Sequence, residues 1–503
     1  MITKRRRVAA FGAALLAVAL VATGCTTTGG ETEKPAQELR YVTSFFPVSL
    51  DIHNFPAEEG TQVAVQQTLE TLVTYEDGEA KPLLAESWEY SDDELTLTFH
   101  LREVNFSDGT PFTAKDAKAS LDRLIALKKA LNPLFAVVTE TRVDDDHTFS
   151  IVTSEPLGTL LGSMSLVFIG QADKMDDEAY WLAPVGTGPF IVKDYVADDH
   201  VDYVRNDDYW GDKAKLDKLT LVNIPEVASK ITALQTGEVD VVSAIPPDQI
   251  SNVDGADGIK FEMKDGFLYY FIWFNLNREP FNNPLVRQAM WHAVDVNSIV
   301  KDLYGDGATP AGSPIAQSVF GAVDLDQPAY DPALSKKLLA EAGYPNGFDA
   351  SIQWPREGGP NIKALAQAFI SGWADVGIKV EPLEKERAKW LEDFGALEWD
   401  MNLQTNSTAT GDADFTLNRL YTCAAKRMGY CSPELDVLLA KARASLDQAK
   451  RADLYEQADE ILWEDAPGIF PADLKNNIAY RSNVKGLVLP PNNRPNFVTV
   501  YIE

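Results

Sequence analysis

Val185-Gly186-Thr187-Gly188-Pro189-Phe190, followed by Arg205-Asn206-Asp207-Asp208-Tyr209-Trp210-Gly211, is the stretch around which the chain is organised. Two glycines flank a threonine and a proline closes the run, so side chains barely cover the backbone there. A missing Cβ lets another main chain or a ligand approach closely. Beyond the proline, Phe190, Val192 and Tyr195 begin an apolar segment with strand character, and Val201, Tyr203 and Arg205 alternate as its hairpin partner. The turn therefore lies where a new sheet begins, and the chain is expected to re-enter here a domain it left earlier.

Working outward, 503 residues correspond to about three domains, enough for a large core and a cleft between domains. With 45% hydrophobic and 24% charged residues the composition is that of a soluble globular protein. The 75 acids against 45 lysines and arginines leave a formal charge of −30. Such a surface repels phosphate backbones, which argues against nucleic-acid partners. His53, His100, His147, His200 and His292 are scattered without ligand spacing, so no metal or other cofactor is expected.

The N-terminus reads as a targeting segment. Lys4 to Arg7 form a basic head, and Val8 to Ala22 an apolar run too short to span a membrane as a helix. Ala22-Thr23-Gly24-Cys25 resembles the lipobox of bacterial lipoproteins, which implies that Cys25 is acylated and becomes the mature N-terminus. Residues 1–24 are then a lipoprotein signal peptide, and residues 25–38, rich in Thr, Gly and Glu, a flexible tether. The protein would sit on the extracytoplasmic face of the cell membrane, held by lipid. A plain secretory signal ending near a cysteine is the alternative. In an oxidising compartment the remaining pair, Cys423 and Cys431, is expected to form a disulfide.

In chain order, Leu39 to Ser44 reads as a strand and Thr61 to Val73 as a helix with Val63, Val65, Leu69 and Leu72 on its apolar face. Leu95, Leu97, Phe99 and Leu101 alternate with polar residues as a strand, and Thr113 with Asp116 opens a helix as a capping box. Leu219 and Leu221 mark another strand, Ala228 to Gln235 a helix, and Val239 to Val242 a buried strand. Tyr269 to Leu276, YYFIWFNL, is apolar enough for a strand buried on both faces. Helices then dominate: one capped by Asp331 with Pro332 at its first position, one from Pro433 to Leu446, and one from Arg451 to Trp463. Short strands return between Val484 and Ile502.

Four stretches, taken in order, resemble the extracytoplasmic solute-binding proteins, family 5, that serve ABC importers of peptides and nickel. They are LAESWEYSDDELTLTFHLREVNFSDGTPFTAKDAKAS, VGTGPF with RNDDYWG, FNLNREPFNNPLVRQAMWHAVD, and YCSPELDVLLAKAR with LYEQADEILWEDAPGIFP. The resemblance covers nearly the whole mature chain. It implies an α/β fold of two lobes around a cleft, the periplasmic-binding-protein-like fold of type II, cluster C, with an extra domain inserted in the first lobe. The implied division is first lobe 39–75, inserted domain 76–184, first lobe again 185–278, second lobe 279–479 and a first-lobe return at 480–503. It also implies a monomer that closes on its ligand by hinge motion and delivers it to a membrane permease.

The same resemblance suggests the ligand contacts. Dipeptide-binding members pair an arginine with the peptide carboxylate, and Arg356 occupies that place in Trp354-Pro355-Arg356-Glu357-Gly358-Gly359-Pro360-Asn361. They also carry an aspartate for the peptide ammonium in a Trp-x-x-Asp setting. Here Asn406 stands for the tryptophan and Ala409 for the aspartate, and Thr410-Gly411-Asp412-Ala413-Asp414 is closer to glutathione-binding members. Asp412 or Asp414 is a candidate replacement. Phe45, Phe46, Trp354 and Trp390 are candidate apolar cleft walls. Thr187 and Gly188 could offer backbone N–H groups, and Asn275 lies at the expected crossing between lobes.

An enzyme is not expected, since no Gly-x-Ser-x-Gly elbow, His-Glu-x-x-His pair or phosphate-cradling loop occurs. The alternatives are a binding protein for an oligosaccharide or glutathione-like solute, and a surface hydrolase on the same scaffold.

Overall fold

The computed structural model describes residues 35–76, 78–356 and 358–503. The signal segment, Cys25 and most of the tether lie outside the described residues. Alternating apolar positions build one eleven-stranded sheet. Its strands in chain order are β1 (Glu38–Val42), β2 (Phe190–Val196), β3 (His200–Arg205), β4 (Lys218–Val222), β5 (Val241–Ser243), β6 (Ile259–Phe274), β7 (Ala308–Pro310), β8 (Asp349–Pro355), β9 (Lys379–Lys385), β10 (Met401–Ser407) and β11 (Gly468–Arg481). They lie in the order β9-β8-β10-β6-β11-β5-β1-β4-β3-β2, with β7 on the side of β11.

The long antiparallel strands β6 and β11 run through both halves of this sheet. Their register slips between Asp265 and Tyr269 and again between Tyr270 and Ile272. Such irregularities break the ladder and bend the strand locally. On one side of the slip, β5 and β1 belong to cores built from residues 39–69, 168–253 and 478–502. On the other, a core of residues 269–474 is continuous, with Tyr269, Tyr270, Ile272, Trp273 and Phe274 buried. The chain is therefore two-lobed, with β6 and β11 as the straps between lobes. The cores change over between Phe261 and Phe267 and again between Leu474 and Ile478, earlier than the 278 and 479 read from sequence. The cause is that β6 continues N-terminal to its apolar half as the half-exposed run Ile259 to Phe267, so no loop marks the crossing.

A separate antiparallel sheet, in the order Ala85–Tyr90, Thr96–Leu101, Thr148–Thr153 and Val138–Asp145, carries the helix Ala114–Leu127 and its own core from Leu72 to Ile169. Leu97, Phe99 and Leu101 point inward as the alternation required. The Asp116 carboxylate accepts from the Thr113 N–H at 2.9 Å, as the capping box predicts. The segment after Ile169 leaves this core, because Met175 and Trp181 pack into the first lobe.

One predicted element is shorter than its apolar stripe. Helix α1 spans Glu59–Val65, not Thr61 to Val73. The carbonyls that would carry it further are taken by the strand-opening turn: Gly188 N–H donates to Thr68 O at 2.9 Å and Phe190 N–H to Gln67 O at 3.0 Å. Leu69 and Leu72 stay buried without being helical.

Candidate functional site

Strand direction defines where a solute can sit. In the first lobe β1 is parallel to both β4 and β5, and β5 is antiparallel to β11 with Ser243 opposite Ile478. The carboxyl ends of these strands therefore point toward the register slip. In the second lobe β8 is parallel to β9 and β10, and β10 is antiparallel to β6 with Ser407 opposite Leu268. These carboxyl ends point to the slip from the other side. Open α/β sheets bind ligands in the crevice beyond the carboxyl ends of their strands. Here two such edges face each other across one hinge.

Arg356 follows β8 directly and lies on this edge, two strands from Tyr270 and so roughly 10 Å away. Its side chain is 57% exposed and paired with Glu386, which follows β9 on the same edge. The loop after it folds back over the hinge strand, since the Tyr270 hydroxyl donates to Pro360 O at 2.7 Å. Phe45 is 62% exposed in the loop after β1, while Phe46 is partly buried against the first-lobe core.

The other expected contacts are spent on structure. Trp354 is buried, and so is Trp390, whose indole N–H donates to Asn402 Oδ1 at 2.8 Å and whose ring stacks on Phe394. Asn275 is buried beneath the second lobe and donates to the carbonyls of Leu397 and Trp399. Asp412 is buried, receives Arg451 Nη2 on both oxygens at 2.7 and 2.8 Å, and accepts from the Tyr75 hydroxyl at 3.0 Å. Its Oδ1 also caps α2 (Ala413–Tyr421) through Asp414 N–H, with Arg451 coming from α3 (Gln448–Asp465). Burial pushes the neighbouring Asp414 carboxyl up to about 6. Cys423 and Cys431 are joined as a disulfide.

The Gly-Thr-Gly-Pro turn has a different use from the one expected. A Cβ on Gly186 would lie 1.8 Å from Thr68 O, and on Gly188 2.7 Å from the same oxygen, so the glycines permit close packing against the end of α1. The Gly188 N–H is already donated there. The Thr187 hydroxyl donates to Glu70 Oε2 at 2.8 Å, Trp210 Nε1 to the same oxygen at 2.8 Å and the Tyr209 hydroxyl to Glu70 Oε1 at 2.7 Å. Both motifs singled out in the sequence thus converge on one buried carboxylate.

Sequence reading missed a group at the first-lobe edge of the cleft. Asn493 Nδ2 bridges Ser44 Oγ at 3.0 Å and Glu59 Oε1 at 2.8 Å. Arg494 follows, partly buried, and its backbone N–H donates to Asn492 Oδ1. The same loop touches the crossing point, where Phe267 N–H donates to Pro491 O at 3.1 Å and Thr408 N–H to Phe267 O at 3.4 Å. Burial pushes the Glu59 carboxyl up to about 7 against the pull of Asn493 and Arg494. Burial likewise pushes the Arg494 guanidinium down to about 10. Pro490-Pro491-Asn492-Asn493-Arg494-Pro495 reads as a turn-rich tail, and nothing local assigns it to a cleft. A groove of about 790 Å³ lies elsewhere, where Asp122 and Arg123 of the helix Ala114–Leu127 meet Asp51 and Trp181 of the first lobe, and the one cation among its lining residues is already bidentate to Asp51.

Residues 79–427 match the bacterial extracellular solute-binding proteins, family 5. The chain belongs to that family. Heme-binding protein A of Haemophilus influenzae is 30% identical over 86% of this chain and 87% of its own length. The glutathione-binding protein GsiB of Pectobacterium atrosepticum is 30% identical over 81% and 83% respectively. The ABC transporter-associated periplasmic binding protein DppA of Helicobacter pylori, solved with the peptide STSA, superposes with a TM-score of 0.80 at 28% identity over 93% of this chain and 98% of that one. As a family 5 solute-binding protein the chain is the substrate-capturing part of an ABC import system, and its fold is that of the two-lobed periplasmic binding proteins.

Proposed function

We propose that this protein captures a short peptide or peptide-like solute between its lobes, with Arg356 pairing to the ligand's carboxylate, and hands it to a membrane permease without chemical change. The observation that carries this reading is the position of Arg356 at the carboxyl end of β8, beside the hinge and exposed. Its present partner is a surface pair, worth at most about 1 kcal/mol and easily exchanged for a ligand. A guanidinium fork takes a carboxylate bidentately, and a closing cleft strengthens the bond by excluding water. Phe45, exposed on the opposite lobe, is available to cover an apolar side chain of the ligand.

Opening and closing would act through β6 and β11, which cross between the two lobes, with the inserted domain carried on the first lobe. The mature protein would be a monomer tethered through acylated Cys25 on the outer face of the membrane.

Arg356→Ala is expected to weaken dialanine binding, read by titration calorimetry, about tenfold or more, because a hydrogen bond to a charged group contributes about 1.5–3 kcal/mol. Unchanged affinity would remove Arg356 from the site. Native mass spectrometry of the lipid-free mature protein would identify what co-purifies. Masses fitting short peptides support this reading, while masses spaced by a hexose would replace peptide by oligosaccharide.

A further inference from the structure

The inserted domain is fastened to the first lobe and meets the second lobe through a different kind of contact. Leu69 and Phe168, which flank it in the chain, both lie in the first-lobe core. Arg123 is bidentate to Asp51 at 2.7 and 2.8 Å, Ile169 N–H donates to Glu70 O at 2.8 Å, and Ser107 N–H to Gly186 O at 2.8 Å. Toward the second lobe no strand pairing crosses among the described residues. Single groups meet there in a seam. The hairpin of Val73–Glu76 and Glu79–Pro82 carries the Tyr75 hydroxyl to Asp412 Oδ2 at 3.0 Å, and Gln448 Nε2 of α3 donates to Gly78 O at 2.8 Å. Gly158 N–H donates to Arg443 O at 2.8 Å, one of the last-turn carbonyls that the helix Pro433–Ala444 leaves without an internal partner. Phe415 of α2, 7% exposed, packs into the core of the inserted domain, and Ala409 lies against the same core.

Both faces of the seam are formed within their own lobes. Asp412 is paired with Arg451 inside the second lobe, and the Arg451 guanidinium lies 5.4 Å over the Phe320 ring. Water can replace the polar contacts when the faces part, while the apolar contact of Phe415 favours their meeting. Gly158 is a point of very close approach. A Cβ there would lie 1.8 Å from Ser445 O, and Gly158 is not one of the left-handed glycines of the chain. Its missing side chain therefore serves approach across the seam and no local turn.

We propose that this seam is the latch of the binding cycle. The inserted domain, carried on the first lobe, grips the second lobe only when the lobes close about β6 and β11, and the strength of the grip sets how long a solute is held. This role rests on the reading that the solute lies between the lobes. Apparent affinity falls with the fraction of protein in the binding-competent state, so a weaker grip lowers affinity without touching a ligand contact. A solute enters while the cleft is open and closure follows, so the loss falls on the dissociation rate. Tyr75 and Gly158 are positioning residues in this scheme, acting on the ligand only through closure.

The test uses the lipid-free mature protein with Cys25→Ser, refolded from urea to release bound solute. Spin labels are placed at Lys129→Cys on the inserted domain and Lys441→Cys on the second lobe, both exposed. Dipolar electron paramagnetic resonance reads the distance between them, and stopped flow reads dialanine association and dissociation. With no further substitution, a longer distance without dialanine is expected to give way to a shorter one at saturation. Gly158→Ala should retain the longer distance at the same dialanine concentration and raise the dissociation rate at least about fivefold, with the association rate unchanged. Tyr75→Phe removes one seam hydrogen bond and should act in the same direction by about two- to tenfold. It decides the matter should Gly158→Ala fail to fold. A single short distance in the dialanine-free protein, or dissociation rates that neither substitution moves, would overturn the latch. Failure of dialanine to bind would reject the peptide reading alone. The dialanine-free distances then decide the latch, supporting it where a longer population grows in Tyr75→Phe and overturning it where the distance is short and unchanged.

Discussion

Glu70 shows how a single buried side chain can organise distant sequence. It is 6% exposed, and burial raises its carboxyl even though Trp210, Tyr209 and Thr187 all donate to it. Replacing it by alanine leaves three donors without a partner, each costing about 1–3 kcal/mol when buried. Glu70→Ala should therefore lose at least about 3 kcal/mol, read as a lower urea midpoint; a loss within about 0.5 kcal/mol, the range of an ordinary surface substitution, would refute this role. Asp412 is a second residue of this kind. Its pair with Arg451 is buried on both sides and joined by Tyr75 from the inserted domain, so its carboxylate braces the second lobe. Arg356 is the contrast: its exposed pair with Glu386 leaves the guanidinium exchangeable.

Elements end where long-range partners claim their backbone groups. α1 stops at Val65 because the Gly-Thr-Gly-Pro turn takes the carbonyls of Gln67 and Thr68, a cause invisible to a window of apolar periodicity. The segment between α2 and the helix Pro433–Ala444 has little regular structure of its own and is closed by Cys423–Cys431. Loop-closure entropy for so short a ring gives roughly 2–3 kcal/mol. The double variant Cys423→Ala, Cys431→Ala should lose about that amount in urea denaturation, and adding reductant should no longer shift its midpoint. A reductant effect that persists in the variant would assign the stabilisation elsewhere.

Across the whole molecule, several buried acids hold their protons to unusually high pH. Asp459 on α3 is fully buried, accepts from the Ser313 hydroxyl at 2.6 Å, and is pushed up to about 8 by burial; Asp473 on β11 is pushed up to about 7. A carboxyl raised in the folded state binds its proton more tightly folded than unfolded. Its stabilising contribution is complete below the ordinary value of about 4 and is lost as pH rises toward about 8. His53, pushed down to about 4 by burial, opposes this trend only below its ordinary value of about 6.5. Relative to Asp459→Asn, wild type should therefore lose stability steadily from about pH 4 to about pH 8, by at most about 1.4 kcal/mol per pH unit. Parallel stability–pH curves for the two proteins would show that Asp459 is charged throughout.

Much of the architecture was legible in local pattern. Period-two alternation at Leu97, Phe99 and Leu101, the Thr113–Asp116 cap, the hairpin after Pro189 and the cap by Asp331 involve residues near one another in the chain, and all appear in the structure. The order of its motifs also marked the family and its two lobes. What sequence could not decide was which polar groups remain available to a ligand. Thr187, Asn275, Trp390 and Asp412 were chemically suitable, but each is consumed by a partner far along the chain or across a lobe. Glu59 and Asn493 lie 434 positions apart in the numbering and are bonded only because the C-terminal segment returns beside β1. Residue type determines what a side chain can bond, and tertiary packing alone determines whether that bond has already been made.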